Sequence, residues 1–411
     1  MQRFRRRARN TAGAVCTLLA LTTVGRTAYA QHLNRAVWLG FEEEGVRRNF
    51  SQGTEYFLDR FSYVVTPPWH DRGLQLWGNQ VRYAVGSVTS RDFTFEGRID
   101  HSLQLGDGVA FDYHVLQGEH RDARFVRNAI GLRYALDDET QLIAQGTPFA
   151  DKGNIDISFG GFFFRDGDDG LRALLTLVDA PSEKSRTTDY LQAPYGLQLA
   201  GAFGDKNDLR VAFDVGAQLP MRAQRLADEA QLDFERYIAT AEVRQKLGEN
   251  ASLVGAVEAE YTDKTLAPAM ANDPLREHFH RTFVQARAEY WHDGSTPWSV
   301  GLLHTYHRES GLRPNDPAMD LRTNRREWFG IARMHLRMDD KLSFEPQLFA
   351  GHVQDAFRDG LETRDRSRFE GKLAWNTRWD FSENAFLVII VTAQLDELAF
   401  GGGGAQFVAR F

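Results

Sequence analysis

Cysteine, lysine and long apolar runs are all scarce in this chain. Of 411 residues only Cys16 is a cysteine, and it lies in an apolar stretch near the start. A disulfide framework and thiolate-based metal or nucleophile chemistry are therefore excluded. No run of about 18 apolar residues, the length a membrane-crossing helix needs, follows residue 30; the longest candidate, FLVIIV at 386–391, is far too short. Clustered positive charge is missing as well. Residues 1–30 hold Arg3, Arg5, Arg6, Arg7, Arg9 and Arg26 and no acidic residue, so 43 basic side chains face 56 acidic ones over the remaining 381, a net of −13. That balance argues against nucleic acid as a partner, because a phosphate-binding face needs concentrated positive charge. No set of Cys and His has metal-ligand spacing, and the RDGDDG stretch at 165–170 departs from a calcium loop in its ligand order and lacks the twelfth-position Glu. Neither a metal nor an organic cofactor is expected.

The N-terminal stretch has the order of a secretory signal: basic residues, then the apolar AVCTLLALTTV, then Ala28 and Ala30 framing Tyr29 as an A-x-A cleavage site. The expected organisation is a signal at 1–30 and one unit at 31–411. An exported chain without a spanning helix can be membrane-embedded only as a closed barrel, since only helices and closed barrels satisfy every backbone group in lipid. A mean hydropathy of −0.44 fits such a barrel, whose strands alternate.

Alternation is what the chain has in abundance. Leu209, Val211, Phe213, Val215, Ala217 and Leu219 oppose Arg210, Asp214 and Gln218 over a length that crosses a bilayer at a tilt. The same period of two sets Phe93, Phe95 and Ile99 against Glu96, Arg98 and Asp100, and Leu253, Val257, Ala259 and Tyr261 against Glu258 and Glu260. It recurs with Trp328, Ala332, Met334 and Leu336 against Arg333, His335 and Arg337, and through residues 368–380. Short Asp/Asn/Gly-rich links at 105–109, 136–140, 165–170, 204–208, 247–251, 292–297, 338–341 and 382–384 read as tight turns. Between them, in the C-terminal half, stand long charged segments at 180–192, 220–233, 262–278, 308–325 and 354–367. Short turns at one end and long loops at the other make the predicted fold an all-β, single antiparallel transmembrane barrel. Each short turn counts as one hairpin; with the Pro67-Pro68 link this gives 20 strands from near Leu33, and 18 is the next even count. GGGG at 401–404 reads as a flexible end to the last outer loop.

Aromatics gather beside the short turns: Phe203, Tyr290, Trp291, Trp298, Trp379, Phe381, Phe386 and Phe411. They predict a periplasmic girdle. The chain ends AQFVARF, with Ala405, Phe407, Ala409 and Phe411 on one face against Gln406 and Arg410. Signal, alternation, loop asymmetry and terminal Phe together resemble the outer-membrane β-barrels of Gram-negative bacteria. In that family the resemblance makes Phe407 and Phe411 an assembly signal read by the barrel-assembly machinery, and it implies outer-membrane localisation among lipid and lipopolysaccharide.

If apolar side chains face lipid, the opposite face lines the lumen with Arg98, Arg210, Arg236, Arg244, Arg281, Arg287, Arg333, Arg337, Arg368 and Arg378, and with Arg133 as well. Glu242, Glu258, Glu260, Glu289 and Glu370 lie among them. Such arginines either attract anionic solutes or carry a sugar chain along guanidinium donors, or they pair with the carboxylates across neighbouring strands and hold the interior together. The count of 42 arginines against 7 lysines does not separate the two. His304, His307, His335 and His352 have no spacing that demands a catalytic site, so an enzyme is not expected. Within the family, an arginine-rich lumen and no plug-sized segment look like an alginate-export-type or porin-like channel. The sharper expectation is an exopolysaccharide export pore, with periplasmic export components as partners; the others are a general diffusion porin and a non-conducting, surface-anchoring or adhesive barrel. Segment 386–391 is apolar on both faces, which alternation alone does not explain.

Overall fold

The computed structural model describes the chain from Gln80 to Arg410, apart from the connecting residues 88–92, 121–122, 147–154, 167–168, 181–187, 193–194, 206–207, 226–229, 269–276, 313–320, 360–361, 383 and 396–397. The strands are β1 (Gln80–Ser87), β2 (Phe93–Gly106), β3 (Val109–His120), β4 (Ala123–Ala135), β5 (Gln141–Gly146), β6 (Ile155–Asp166) and β7 (Asp169–Ala180). They continue as β8 (Thr188–Gln192), β9 (Tyr195–Gly204), β10 (Leu209–Arg225), β11 (Ala230–Gly248), β12 (Ala251–Pro268), β13 (Glu277–His292) and β14 (Trp298–Leu312). The last are β15 (Leu321–Met334), β16 (Leu336–Arg337), β17 (Leu342–Asp359), β18 (Glu362–Ser382), β19 (Ala385–Gln394) and β20 (Ala399–Arg410). Every pairing is antiparallel between neighbours in the chain, and β1 pairs with β20 from Gln80↔Arg410 to Ser87↔Gly403, which closes the ring.

Two staves of that ring are split. β8 and β9 both pair with the same edge of β10, β8 through Arg222–Arg225 and β9 through Arg210–Gln218. β15 and β16 both pair with β17, and their break at His335 falls opposite the Glu345–Pro346 step. Pro220 likewise sits where β10 slips register against β11, between Gln218 and Met221. Counting each split pair as one, the described residues form eighteen staves, the second of the two counts read from the sequence. The count of twenty placed two strands in 33–66, outside the described residues; β1 has both edges paired, so the ring closes without them.

The long segments expected as loops are mostly strand. β10 and β11 run 17 and 19 residues, and β17 and β18 run 18 and 21, so that only 226–229 and 360–361 join them. A barrel strand needs about 10 residues to cross lipid, so these strands continue well past the bilayer on one side. Their charged residues keep the period of two, and pairs such as Gln224↔Gln231 and Asp359↔Glu362 complete the ladders. Residues 401–404 also belong to a strand: Gly403 pairs with both Val391 and Ser87. Glycine ends no strand when both neighbours supply backbone partners.

Side chains divide as the period requires. Leu132, Phe159, Leu197, Val300, Leu302, Leu373, Ile389 and Val391 stand on the outer surface, exposed, while the alternate residues are buried inside. Near the short turns the outer face carries Tyr134, Phe203, Tyr290, Trp298, Trp379 and Phe381. Trp291 and Phe386, expected among them, point inward and are buried. Trp291 directly follows the outer Tyr290 and Phe386 directly precedes the outward Leu387, and adjacent residues must take opposite faces; the aromatic count at the turns could not separate the two parities. Phe411 lies outside the described residues. A second outer aromatic set, Tyr237, Tyr261, Tyr306, Trp328 and Phe369, stands eight to thirteen residues along the strands from the turns. At roughly 2.6 Å of height per tilted residue, the two sets bracket an apolar band about 25 Å tall, the thickness of a barrel's lipid belt.

Candidate channel wall

The inner face of β13 to β18 holds two charged clusters separated by an apolar strip. Nearer the short turns, Glu289 of β13 forms ion pairs with Arg287 (Nε at 3.0 Å) and Arg333 (Nη2 at 3.2 Å), while the Ser299 hydroxyl donates to its other oxygen at 3.0 Å. Glu242 of β11 lies 4.0 Å from Arg287. The carboxylate of Glu289 is 0% exposed and the Arg333 side chain 2%. Farther along, Arg325 pairs with Glu327 on its own strand, and reaches Asp355 of β17 at 3.5 Å and Glu370 of β18 at 3.6 Å. Arg368 completes this second cluster, 2.9 Å from Asp355 and paired with Glu370.

Local pattern explains why these groups meet. Arg325, Glu327 and Arg333 are all odd positions of β15 and share its inner face with Phe329 and Ile331. Register then brings them to β17: Arg325↔Asp355 and Arg333↔Gln347 are direct partners. Between the clusters, Leu303, Phe329, Ile331, Phe349 and Val353 form one apolar strip of inward side chains. The strip needs no polar partner, whereas each buried charge does; the alternation of paired charge and hydrocarbon along one wall meets both demands.

Around the short-turn rim, single ion pairs repeat. Arg133 binds Asp112 through two nitrogens at 2.8 and 3.0 Å, Arg210 lies 2.6 Å from Asp169, and Arg244 is 3.5 Å from Asp293. Arg378 is 2.5 Å from Asp380, and its guanidinium sits 4.1 Å from the Phe386 ring centroid. That contact accounts for segment 386–391: Phe386 and Val388 pack inward beneath the arginine wall, and Leu387, Ile389 and Val391 face out. Phe162 is covered in the same way by Arg133 and Arg172, at 5.9 and 5.8 Å.

Of the arginines expected in the lumen, Arg210, Arg244, Arg281, Arg287, Arg333, Arg368 and Arg378 belong to inward series. Arg210, Arg244, Arg287, Arg333, Arg368 and Arg378 have the carboxylate partners described above. Arg98 and Arg236 hold register positions opposite Leu116 and Thr262, and their side chains lie outside the described residues. Arg337 departs from the expectation: it is 65% exposed in the rim hairpin and pairs with Asp340 at 2.9 Å, because the strand ends there and the turn offers the nearer carboxylate. Phe407 is on the outer face, its ring 6.2 Å from Phe381; Ala28, Ala30 and Phe411 fall outside the described residues. Arg325 and Asp355 were missed because 308–325 and 354–367 read as loops, and Glu327 falls between that first segment and the alternation read from Trp328. Their parity with Arg333 and Glu345 was the available signal. The four histidines do not converge: His304 and His352 face outward, His304 stacked on Trp328 at 3.8 Å, while His307 is buried inside. Among the described residues no group of three or more metal-ligating side chains gathers.

No family model and no curated relative matches the chain. Solved structures do: Acinetobacter baumannii OccAB3 at 11% identity, covering 81% of this chain and 98% of that one with a TM-score of 0.39; and Pseudomonas aeruginosa OprD at 12%, covering 81% and 93%, with a TM-score of 0.41. OmpT, an outer-membrane protein of Vibrio cholerae, matches at 9%, covering 81% and 98%, with a TM-score of 0.34. Nothing about solute or partner passes to this chain from likenesses of that level.

Proposed function

We propose that this protein is an outer-membrane channel for saccharide chains. The observation that carries the reading is the wall just described: an inward apolar and aromatic strip, Leu303, Phe329, Ile331, Phe349 and Val353, bounded on both sides by compensated guanidinium–carboxylate clusters. A pyranose has the same two-sided character, with C–H faces that pack on aromatic rings and hydroxyls that exchange hydrogen bonds with charged groups. The outer apolar band between two aromatic sets, with polar strand extensions at one end, supports placement in the outer membrane, short turns toward the periplasm. Because Arg210, Arg244, Arg287, Arg333, Arg368 and Arg378 each face a carboxylate, the wall supports selection by hydrogen bonding over selection for anions. Arg325 is 1% exposed, so transit along this wall requires it to open. Export through such a channel implies delivery by periplasmic components, and insertion implies the barrel-assembly machinery.

The test is flux from proteoliposomes loaded with a fluorescent oligosaccharide and with KCl, using refolded full-length protein. The expected result is oligosaccharide release that Phe329→Ser with Phe349→Ser slows about tenfold while salt conductance persists. Equal release of every small polar solute, indifferent to those changes, would make the barrel a general diffusion pore. A folded barrel that releases nothing would leave the anchoring reading.

A further inference from the structure

Asn376 stands on the inner face of β18, between Ala374 and Arg378 in the inward series of that strand. It is 2% exposed, yet neither its Nδ2 donors nor its Oδ1 acceptor has a hydrogen-bond partner among the described residues. An amide in that position carries its desolvation cost with nothing to offset it. Strand geometry does not demand it. Ala374, the preceding inward residue, is buried hydrocarbon, and a Leu at 376 would have the same branching as Asn without the polar atoms. A buried polar group left unsatisfied in an otherwise compensated wall marks a position shaped by something other than stability.

The neighbours of the amide indicate what shaped it. Its register partner on β17 is Glu345, on the same inner face, and the next inward residue of that strand, Gln347, donates from Nε2 to Glu345 Oε1. Phe349 follows as the next inward residue and belongs to the apolar strip, with the Arg333 guanidinium 5.9 Å from its ring centroid. From Asn376 to Phe349 is about 14 Å along the wall, at 3.4 Å per residue and 4.8 Å between strands. A sugar ring held at Asn376 and another packed on Phe349 therefore belong to one short chain. Each hydroxyl of a pyranose both donates and accepts, and so does the amide, while the carboxylate beside it accepts. An acidic sugar is disfavoured at this position, because Glu345 faces it and Arg378, the next inward residue on β18, is engaged by Asp380.

We propose that Asn376, with Glu345 and Gln347, is a subsite for the hydroxyls of an uncharged pyranose unit, on the short-turn side of the apolar strip. The inference rests on the saccharide reading above and narrows it to a sugar class and a position. Asn376 is six residues from Ser382, where β18 ends at a short turn, so a chain entering from that side meets the amide before the ring of Phe349. Access requires the same opening of the wall that Arg325 requires.

The test pairs binding with stability, because a subsite residue and a purely structural one move them differently. Refolded full-length protein is titrated calorimetrically with maltohexaose, laminarihexaose and hexagalacturonate, and its urea unfolding in lipid vesicles is followed by tryptophan fluorescence. Asn376→Leu is expected to weaken binding of the uncharged hexasaccharide that wild type binds about tenfold or more, and to raise the folding equilibrium constant by about the same factor. Asn376→Ala, which adds no volume, repeats the binding arm if the Leu variant does not fold. Unchanged binding by the folded variant overturns the proposal. So does a fall in stability for folded Asn376→Leu, which would mean that bound water satisfies the amide. Hexagalacturonate bound as tightly as the uncharged sugars overturns it too. Wild type that binds none of the three sinks the saccharide reading itself, whereas wild-type binding that the variants leave intact sinks this subsite alone.

Discussion

Removing the charge of Glu289 should be the most damaging single change to the inner wall. Its carboxylate is fully buried between Arg287 at 3.0 Å and Arg333 at 3.2 Å and also accepts from Ser299. One ion pair at such range is worth about 5 kcal/mol at an effective dielectric near 20. Glu289→Gln removes two such attractions and leaves two guanidinium groups facing one another without the carboxylate between them. Relief of the carboxylate's own desolvation offsets part of this, so the expected net loss is about 3–5 kcal/mol, the range for a buried pair that loses one member. Urea unfolding of the barrel in lipid vesicles, followed by tryptophan fluorescence, measures it. Adding Arg333→Met removes the stranded cation and should recover about 1–3 kcal/mol as a non-additive term. A single-variant loss below about 1 kcal/mol, the level of an exposed pair, would refute the claim that this wall depends on charge compensation.

Two further outcomes follow from the same division of faces. Leu302→Arg places a cation on the outer face of β14 within the apolar band and should cost about 2–4 kcal/mol in vesicle unfolding, with little change if the barrel is held in detergent. In the rim turn, the Asp339 carboxylate accepts the backbone N–H of Lys341 at 2.7 Å and of Leu342 at 2.8 Å. Those two hydrogen bonds hold its pKa below the usual carboxylate range. With the folded value depressed, the turn is stabilised above the unfolded-state pKa, and that stabilisation fades as pH falls through the folded value. Amide exchange at Lys341 and Leu342 should accelerate across that acid window in the wild type and show no such step in Asp339→Ala.

The ring architecture was legible because period-two alternation and turn chemistry are local properties: the strand at Leu209 and the hairpins at 105–109 and 338–341 appear where the residues place them. Where strands end was not legible. Charged residues such as Arg222, Asp233 and Arg358 suit a solvated loop and a solvated strand equally, and only the partner strand's register decides between them. The face of Trp291 and Phe386 was lost for the opposite reason, since an aromatic near a turn satisfies the girdle pattern with either parity. For the wall, inward placement of Arg287 and Arg333 followed from parity, but the contacts that join Arg333 to Glu289 and Arg287 to Glu242 cross strands more than thirty residues apart, which no local pattern carries.

The β1–β20 joint also fixes when folding can finish. Its partners, Gln80 and Arg410, stand roughly 330 residues apart, and closing a flexible loop of that length costs about 5 kcal/mol of chain entropy beyond the constant term. No earlier pairing can substitute, so every intermediate short of the last strand carries two open edges, each a template for pairing with another chain. The slow step should therefore be the arrival of the C-terminal strand, with nascent chains aggregation-prone until then. Any factor that chaperones this protein must shield the edge at β1 for as long as it takes the other three hundred residues to find their places.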